Sequence, residues 1–145
     1  MNYTYEAKVM WAHLDANMHM RHSAYADFAA QARIAALDEL GLDFNAFQEE
    51  HIGPILFREE TLYLREVGIN DTLKITSELI KSRPDGSRWS IRHLVFRNDG
   101  VKAAIINVDG AWLDTKKRKL APLPAKLAEA FTNMPKSLDY EEMAV

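Results

Sequence analysis

The chain has 145 residues, of which 48% are hydrophobic and 10% aromatic, enough for one domain with a buried core. Eighteen Lys and Arg against 21 Asp and Glu give a formal charge of -3, so there is no electrostatic footprint for nucleic acid. With no cysteine there is neither a disulfide framework nor a thiol nucleophile, and no apolar run approaches the roughly 18 residues of a membrane span. The first fifteen residues also lack the charged-then-apolar layout of a signal peptide, so a soluble, cytoplasmic protein is expected.

Tyr3, Tyr5, Ala7, Val9 and Trp11 alternate with Asn2, Thr4, Glu6, Lys8 and Met10, the period of a strand with one buried face. If the chain stays extended, His13 and Asp15 share the parity of Trp11 and point to the apolar side. Ser23 is placed to cap a helix that runs without Pro or Gly from Ala24 to Leu40 and stops at Gly41, a span of about four to five turns. Tyr25, Phe28, Ala32, Ala35 and Ala36 fall on one face, and the many other apolar residues predict a helix mostly enclosed, with alanines that let a sheet approach closely.

Leu42 and Phe47 bracket Asp43 at the spacing of a hydrophobic staple, which predicts a short connecting helix to about Glu50. Strands are then expected over residues 53–67, 73–80, 88–96 and 101–113, separated by the turn signals Arg83-Pro84-Asp85-Gly86-Ser87 and Asn98-Asp99-Gly100. The last of these is apolar on both parities and should lie inside the sheet. A basic run, Lys116 to Lys119, closes it. Pro122 and Pro124 precede a short helix from Ala125 to Phe131. The reading is one domain over residues 1–136, with an acidic tail at 137–145 expected to be loose. Strand, buried helix, then sequential antiparallel strands argue for an α+β domain whose sheet wraps one long central helix.

The chemistry concentrates at the first strand-to-helix junction, where His13, Asp15, Asn17, His19 and His22 fall within ten residues. A carboxylate, imidazoles and the free amides of a helix start converge there. The segment from His13 to Tyr25 resembles the signature of the 4-hydroxybenzoyl-CoA thioesterase-like acyl-CoA thioesterases of the hotdog fold. In that family an Asp precedes the central helix, with His four or seven residues on and Tyr ten residues on. Asp15, His19, His22 and Tyr25 match. Looser similarity covers Tyr5 to Pro124, including Tyr63-Leu64-Arg65. Met18 stands where relatives carry Gly, and Arg21 and His22 where one branch has paired Asn.

The resemblance implies hydrolysis of an acyl-CoA thioester with no metal and no cofactor, with Asp15 as general base or nucleophile, His19 assisting, and a helix-start amide as oxyanion donor. Asn17, His22 and Tyr25 are candidate substrate contacts. Arg83, Arg88, Lys116, Lys117 and Arg118 are candidates for the CoA phosphates, which need cationic partners. A strand apolar on both parities argues for a homodimer or homotetramer with the groove between protomers. Two other readings stay open. Asp15-Ala16-Asn17-Met18-His19 is superficially like the hotdog hydratases, which have a proline after the Asn and a His five residues after the Asp. A non-catalytic acyl-binding module would instead tie Asp15 up on backbone amides. His13, Asp15, His19 and His22 are also competent metal ligands, at no recognised metal spacing.

Overall fold

In a computed structural model, residues 3–144 are described; Asn2 of the first expected strand and Val145 of the tail lie outside them. The elements are β1 (Tyr3–Lys8), a 3-10 turn (Trp11–His13), α1 (His22–Glu39), α2 (Phe44–Glu50), β2 (Ile52–Tyr63), β3 (Thr72–Ser82), β4 (Arg88–Phe96), β5 (Lys102–Asp114), β6 (Lys119–Leu120), α3 (Ala125–Phe131) and β7 (Lys136–Glu142). Hydrogen bonding orders the sheet β1-β3-β4-β5-β2, with β6 added to β5 and β7 to β3.

One inner row of this curled sheet reads Tyr5, Ile75, Val95, Ala104, Tyr63 from edge to edge. α1 packs against this face through Ala24, Tyr25, Ala29, Ala32, Ala36 and Leu37, all buried. The small alanines bring helix and sheet close, as expected of an α+β domain wound around one helix. The helix is enclosed on one face only, since Ile34 is 40% exposed. At the far end of the sheet, Trp89, Trp112, Phe131 and Phe47 form an aromatic cluster with ring centres 5.6 to 6.5 Å apart. Gly110 is needed there, because a Cβ would collide with the Trp89 ring and stand 2.5 Å from the carbonyl oxygen of Ile55.

The turns and short helices follow the sequence. Asp43 caps α2, its carboxylate accepting from the Ala46 amide at 2.8 Å, and Gly41 and Gly100 adopt φ of 90° and 81°.

Four expectations need correction. β1 ends at Lys8 and the chain coils into the 3-10 turn, so Trp11 is 71% exposed and Asp15 is exposed too. The alternating pattern ran past the strand because nothing after Lys8 pairs with β3. Ser23 is not the cap: α1 begins at His22, after Arg21. β2 stops at Tyr63, and residues 64–71 form a loop. Residues 136–142 are not loose but pair in parallel with β3 as β7. Arg92 holds Asp139 there at 3.1 and 3.2 Å, and Ser82 Oγ meets the Tyr140 hydroxyl at 2.7 Å.

Candidate active site

The loop ahead of α1 is a tight antiparallel turn. The Asp15 amide donates to the His19 carbonyl at 2.9 Å, the Met18 amide returns to the Asp15 carbonyl at 3.0 Å, and Leu14 bridges Met20. Met18 closes the turn at φ 64°, a left-handed conformation that costs an L side chain energy. Glycine would relieve that cost, and the Met18 side chain is left outside at 51% exposure. The loop is pinned to the segment after β2 by the Met20 amide on the Val67 carbonyl at 2.6 Å and a His19–Gly68 bridge.

Asp15 is held by one oxygen. Its Oδ1 accepts from the Asn17 amide at 2.9 Å and, more weakly, from the His19 amide at 3.4 Å. Oδ2 has no hydrogen-bond partner among the described residues and the side chain lines an open cleft. Backbone tethering and exposure to a groove therefore coexist, one for each oxygen.

The cleft has a volume of about 340 Å³ and gathers Asp15, His19, His22 and Tyr25 with Tyr63 and Glu66. Tyr25 and Tyr63 meet edge to face, 5.1 Å between ring centres, and the Tyr63 hydroxyl donates to the His22 carbonyl at 3.2 Å. Burial first, then the nearby Tyr63, Glu66 and Asp15, raise the Tyr25 phenol above its ordinary value, so it remains a neutral donor.

Arg21 shapes the helix start. Its amide donates to the His13 carbonyl at 2.8 Å, its Nε to Ser23 Oγ at 3.0 Å, and its Nη1 to the Ala12 carbonyl. The Ser23 hydroxyl thus serves Arg21, and no side chain caps α1. Among the described residues the amides of His22 and Ser23 are left without an acceptor, and such orphan donors are suited to an anion.

The remaining candidates lie elsewhere. His13 takes the Met10 amide on Nδ1 at 3.0 Å and packs on Phe28, away from Asp15. Asn17 contributes its backbone to the loop, and its side chain is exposed. Lys116, Lys117 and Arg118 sit in the turn after β5, next to Asp114, which pairs with Ile52 at the opposite end of β2 from Tyr63. Arg88 is at that end as well, its guanidinium 4.7 Å over the Phe57 ring, and Arg83 is close by in the same turn region. Glu66 was missed by sequence reasoning. It follows a strand whose end meets the loop only through tertiary pairing, and no local spacing signals that.

A sheet curled around one helix, with a carboxylate loop at the helix start, defines a hotdog-fold protein of the thioesterase type. The thioesterase-like superfamily matches residues 9–131, and the chain belongs to it. No curated protein matches in sequence. Among solved structures, a Staphylococcus aureus protein in complex with CoA superposes with a TM-score of 0.88 at 16% identity, covering 100% of this chain and 96% of that one. The DHNA-CoA thioesterase of Staphylococcus aureus gives 0.83 at 16% identity, covering 90% and 89%. A 1,4-dihydroxy-2-naphthoyl-CoA thioesterase from Synechocystis gives 0.80 at 16% identity, covering 97% and 100%. Likeness at this identity speaks for the fold. No helix among the described residues is long and apolar enough to cross a membrane.

Proposed function

We propose that this protein hydrolyses acyl-CoA thioesters at the Asp15 cleft. The observation that carries the reading is the divided carboxylate: Oδ1 is fixed by amides while Oδ2 is free, in a cleft also lined by His22, whose partnerless amide opens α1. In the general-base route Oδ2 takes a proton from water as the water oxygen attacks the thioester carbonyl. The oxyanion is held by helix-start amides, the C–S bond breaks, and the CoA sulfur leaves with the proton. In the nucleophilic route Asp15 attacks the carbonyl itself, the C–S bond breaks to release the CoA thiolate, and water then cleaves the anhydride, restoring the Asp15 carboxylate and giving up the proton that the thiolate takes. His19 orients the carboxylate or assists the proton, and Tyr25 and His22 contact the acyl thioester.

The phosphate contacts need a second subunit. Ile52 and Tyr63 are eleven residues apart on β2, up to about 36 Å at the rise of an extended strand, so the cations at the Ile52 end stand far from the cleft of their own chain. β2 is one of the two edges of the sheet, β1 being the other, and it carries Phe57, Leu62 and Tyr63 at 51%, 45% and 52% exposure. Two-fold antiparallel pairing of β2 with a second copy sets Tyr63 of one chain beside Ile52 of the other. The partner's Lys116, Lys117, Arg118 and Arg88 then face the cleft.

Chelator-treated protein offered a panel of short, long and aromatic acyl-CoAs should release free thiol. No turnover across the panel would favour an acyl-binding module, and hydration of an enoyl-CoA would favour the hydratase. Sedimentation showing only monomer at micromolar concentration would remove the shared site.

A further inference from the structure

The strand that closes the chain also builds a cavity. β7 lies along β3 beyond the stretch paired with β1, and a space of about 400 Å³ opens between β3, β7 and the end of α3. That is within the size range of small-molecule sites, about 300–1,000 Å³. It lies at the other end of the sheet from Asp15.

The cavity has an apolar floor and a charged wall. Leu79 and Phe131 form the floor, and Arg83, Lys136, Tyr140 and Glu142 stand around it. The Nε of Arg83 is buried with no hydrogen-bond partner. No other nitrogen of this guanidinium has a hydrogen-bond partner among the described residues either, so its terminal N–H groups remain to be offered to an acceptor from outside the chain. Lys136 is held in place, its Nζ donating to the Thr132 carbonyl at 2.9 Å and lying 5.5 Å from the Tyr140 ring centre. Two of its three N–H groups remain to be offered. Among the described residues no carboxylate lies within 4.0 Å of either cation. Glu142 is the one acid among the lining residues, two cations against one carboxylate, while Asp85 stands outside the cavity in the turn beside Arg83.

We propose that this cavity binds a small carboxylic acid with an apolar body. The body lies on Leu79 and Phe131, and the carboxylate accepts from Arg83 and Lys136. A monoanion matches the excess charge of the lining residues, a planar carboxylate matches the guanidinium, and the apolar floor selects against inorganic ions.

The test is calorimetric titration of the full-length protein with benzoate, hexanoate and inorganic phosphate, with and without saturating CoA. Both organic acids should bind once per chain, phosphate should not, and CoA should leave the affinity unchanged. Lys136→Gln, at an exposed position, should weaken binding about tenfold, the size of one lost charge-assisted hydrogen bond. Arg83→Gln should weaken it at least as much, and if that variant fails to fold, Lys136→Gln and the CoA competition decide. Absence of saturable binding, undiminished binding to Lys136→Gln, or displacement by CoA would overturn the proposal. So would phosphate binding as tightly as benzoate.

Discussion

The open cluster at Asp15 and a sealed one at Arg33 are made of similar residue types and behave in opposite ways. Asp15, His19 and His22 are exposed and held chiefly through the backbone. Arg33 of α1 and His93 of β4 are 8% and 0% exposed, with Nη1 of the arginine 3.0 Å from Nε2 of the imidazole. Because a guanidinium only donates, Nε2 accepts, so the His93 proton is on Nδ1, which lies 3.0 Å from Ser77 Oγ and 3.2 Å from the Thr76 carbonyl. Burial first, and the Arg33 charge second, push the His93 imidazole down to about 3. Burial also lowers the Arg33 guanidinium, against the raising influence of Glu59. The lesson is that setting, not residue type, decides what a histidine is available for. The sealed one is a fixed neutral acceptor bracing helix to sheet, and the open ones line a cleft within reach of solvent.

The largest effect that would break this contrast is on activity. Asp15→Asn keeps a carbonyl to accept from the Asn17 and His19 amides but removes basicity and nucleophilicity. kcat should fall about 10²-fold to 10⁴-fold, roughly 3–5 kcal/mol in the barrier, with the melting temperature little changed. Near-wild-type turnover would move the search to Glu66 on the same cleft. The next effect is on stability. His93→Ala leaves the Arg33 guanidinium buried without its acceptor and should cost about 3 kcal/mol in denaturant unfolding. Adding Arg33→Met removes the stranded charge, so the double variant should be less destabilised than the sum of the two singles. Strict additivity would show that the pair does not act as a unit.

Much of the fold was legible because its signals are local. The boundaries of β4 and α3, the Asp43 cap and both hairpin turns follow from Pro, Gly, Asp and alternation within a few residues. β7 was not legible, since Ser137 to Glu142 reads as a polar tail until Arg92 and Ser82 supply partners from two other strands. In the cleft, the spacing of Asp15, His19, His22 and Tyr25 was visible along one segment, whereas Tyr63 and Glu66 arrive through sheet pairing. Arg33 was hidden for a related reason. A single Arg on an alanine-rich helix looks solvent-facing, and its burial is offset by His93, sixty residues away, and by the charge of Glu59.

The pH dependence sharpens the sealed side. His93 is held at about 3 in the fold against 6.5 for a free imidazole, so on acidification the unfolded chain takes the proton first. The stability tied to the neutral ring is complete above pH 6.5 and is lost as pH falls from there toward 3, at up to about 1.4 kcal/mol per pH unit. Denaturant unfolding of the wild type and of His93→Gln across that window should give a sloping and a flatter profile. Parallel profiles would show that another group carries the acid sensitivity.

The smallest effect belongs to a charge pair in neither cluster. Asp139 is solvent-exposed, and the Arg92 guanidinium beside it lowers its carboxyl to about 2 from 3.8. A depressed acid stabilises the fold above its ordinary value, so this contribution is present above pH 3.8 and is lost as pH falls toward 2. Water and salt screen such a pair, and β7 has other ties: the Met143 amide on the Ser82 carbonyl and the Leu79 amide on the Pro135 carbonyl, both at 2.8 Å. Asp139→Asn should therefore barely move the melting temperature, and the small shift should vanish in about 1 M salt. Hydrogen exchange should be more sensitive, with the Met143 amide exchanging faster in Asp139→Asn while the amides of β4 and β5 keep their protection. A loss of global stability comparable to that of His93→Ala would instead mean that β7 and its cavity fold with the core as one cooperative unit.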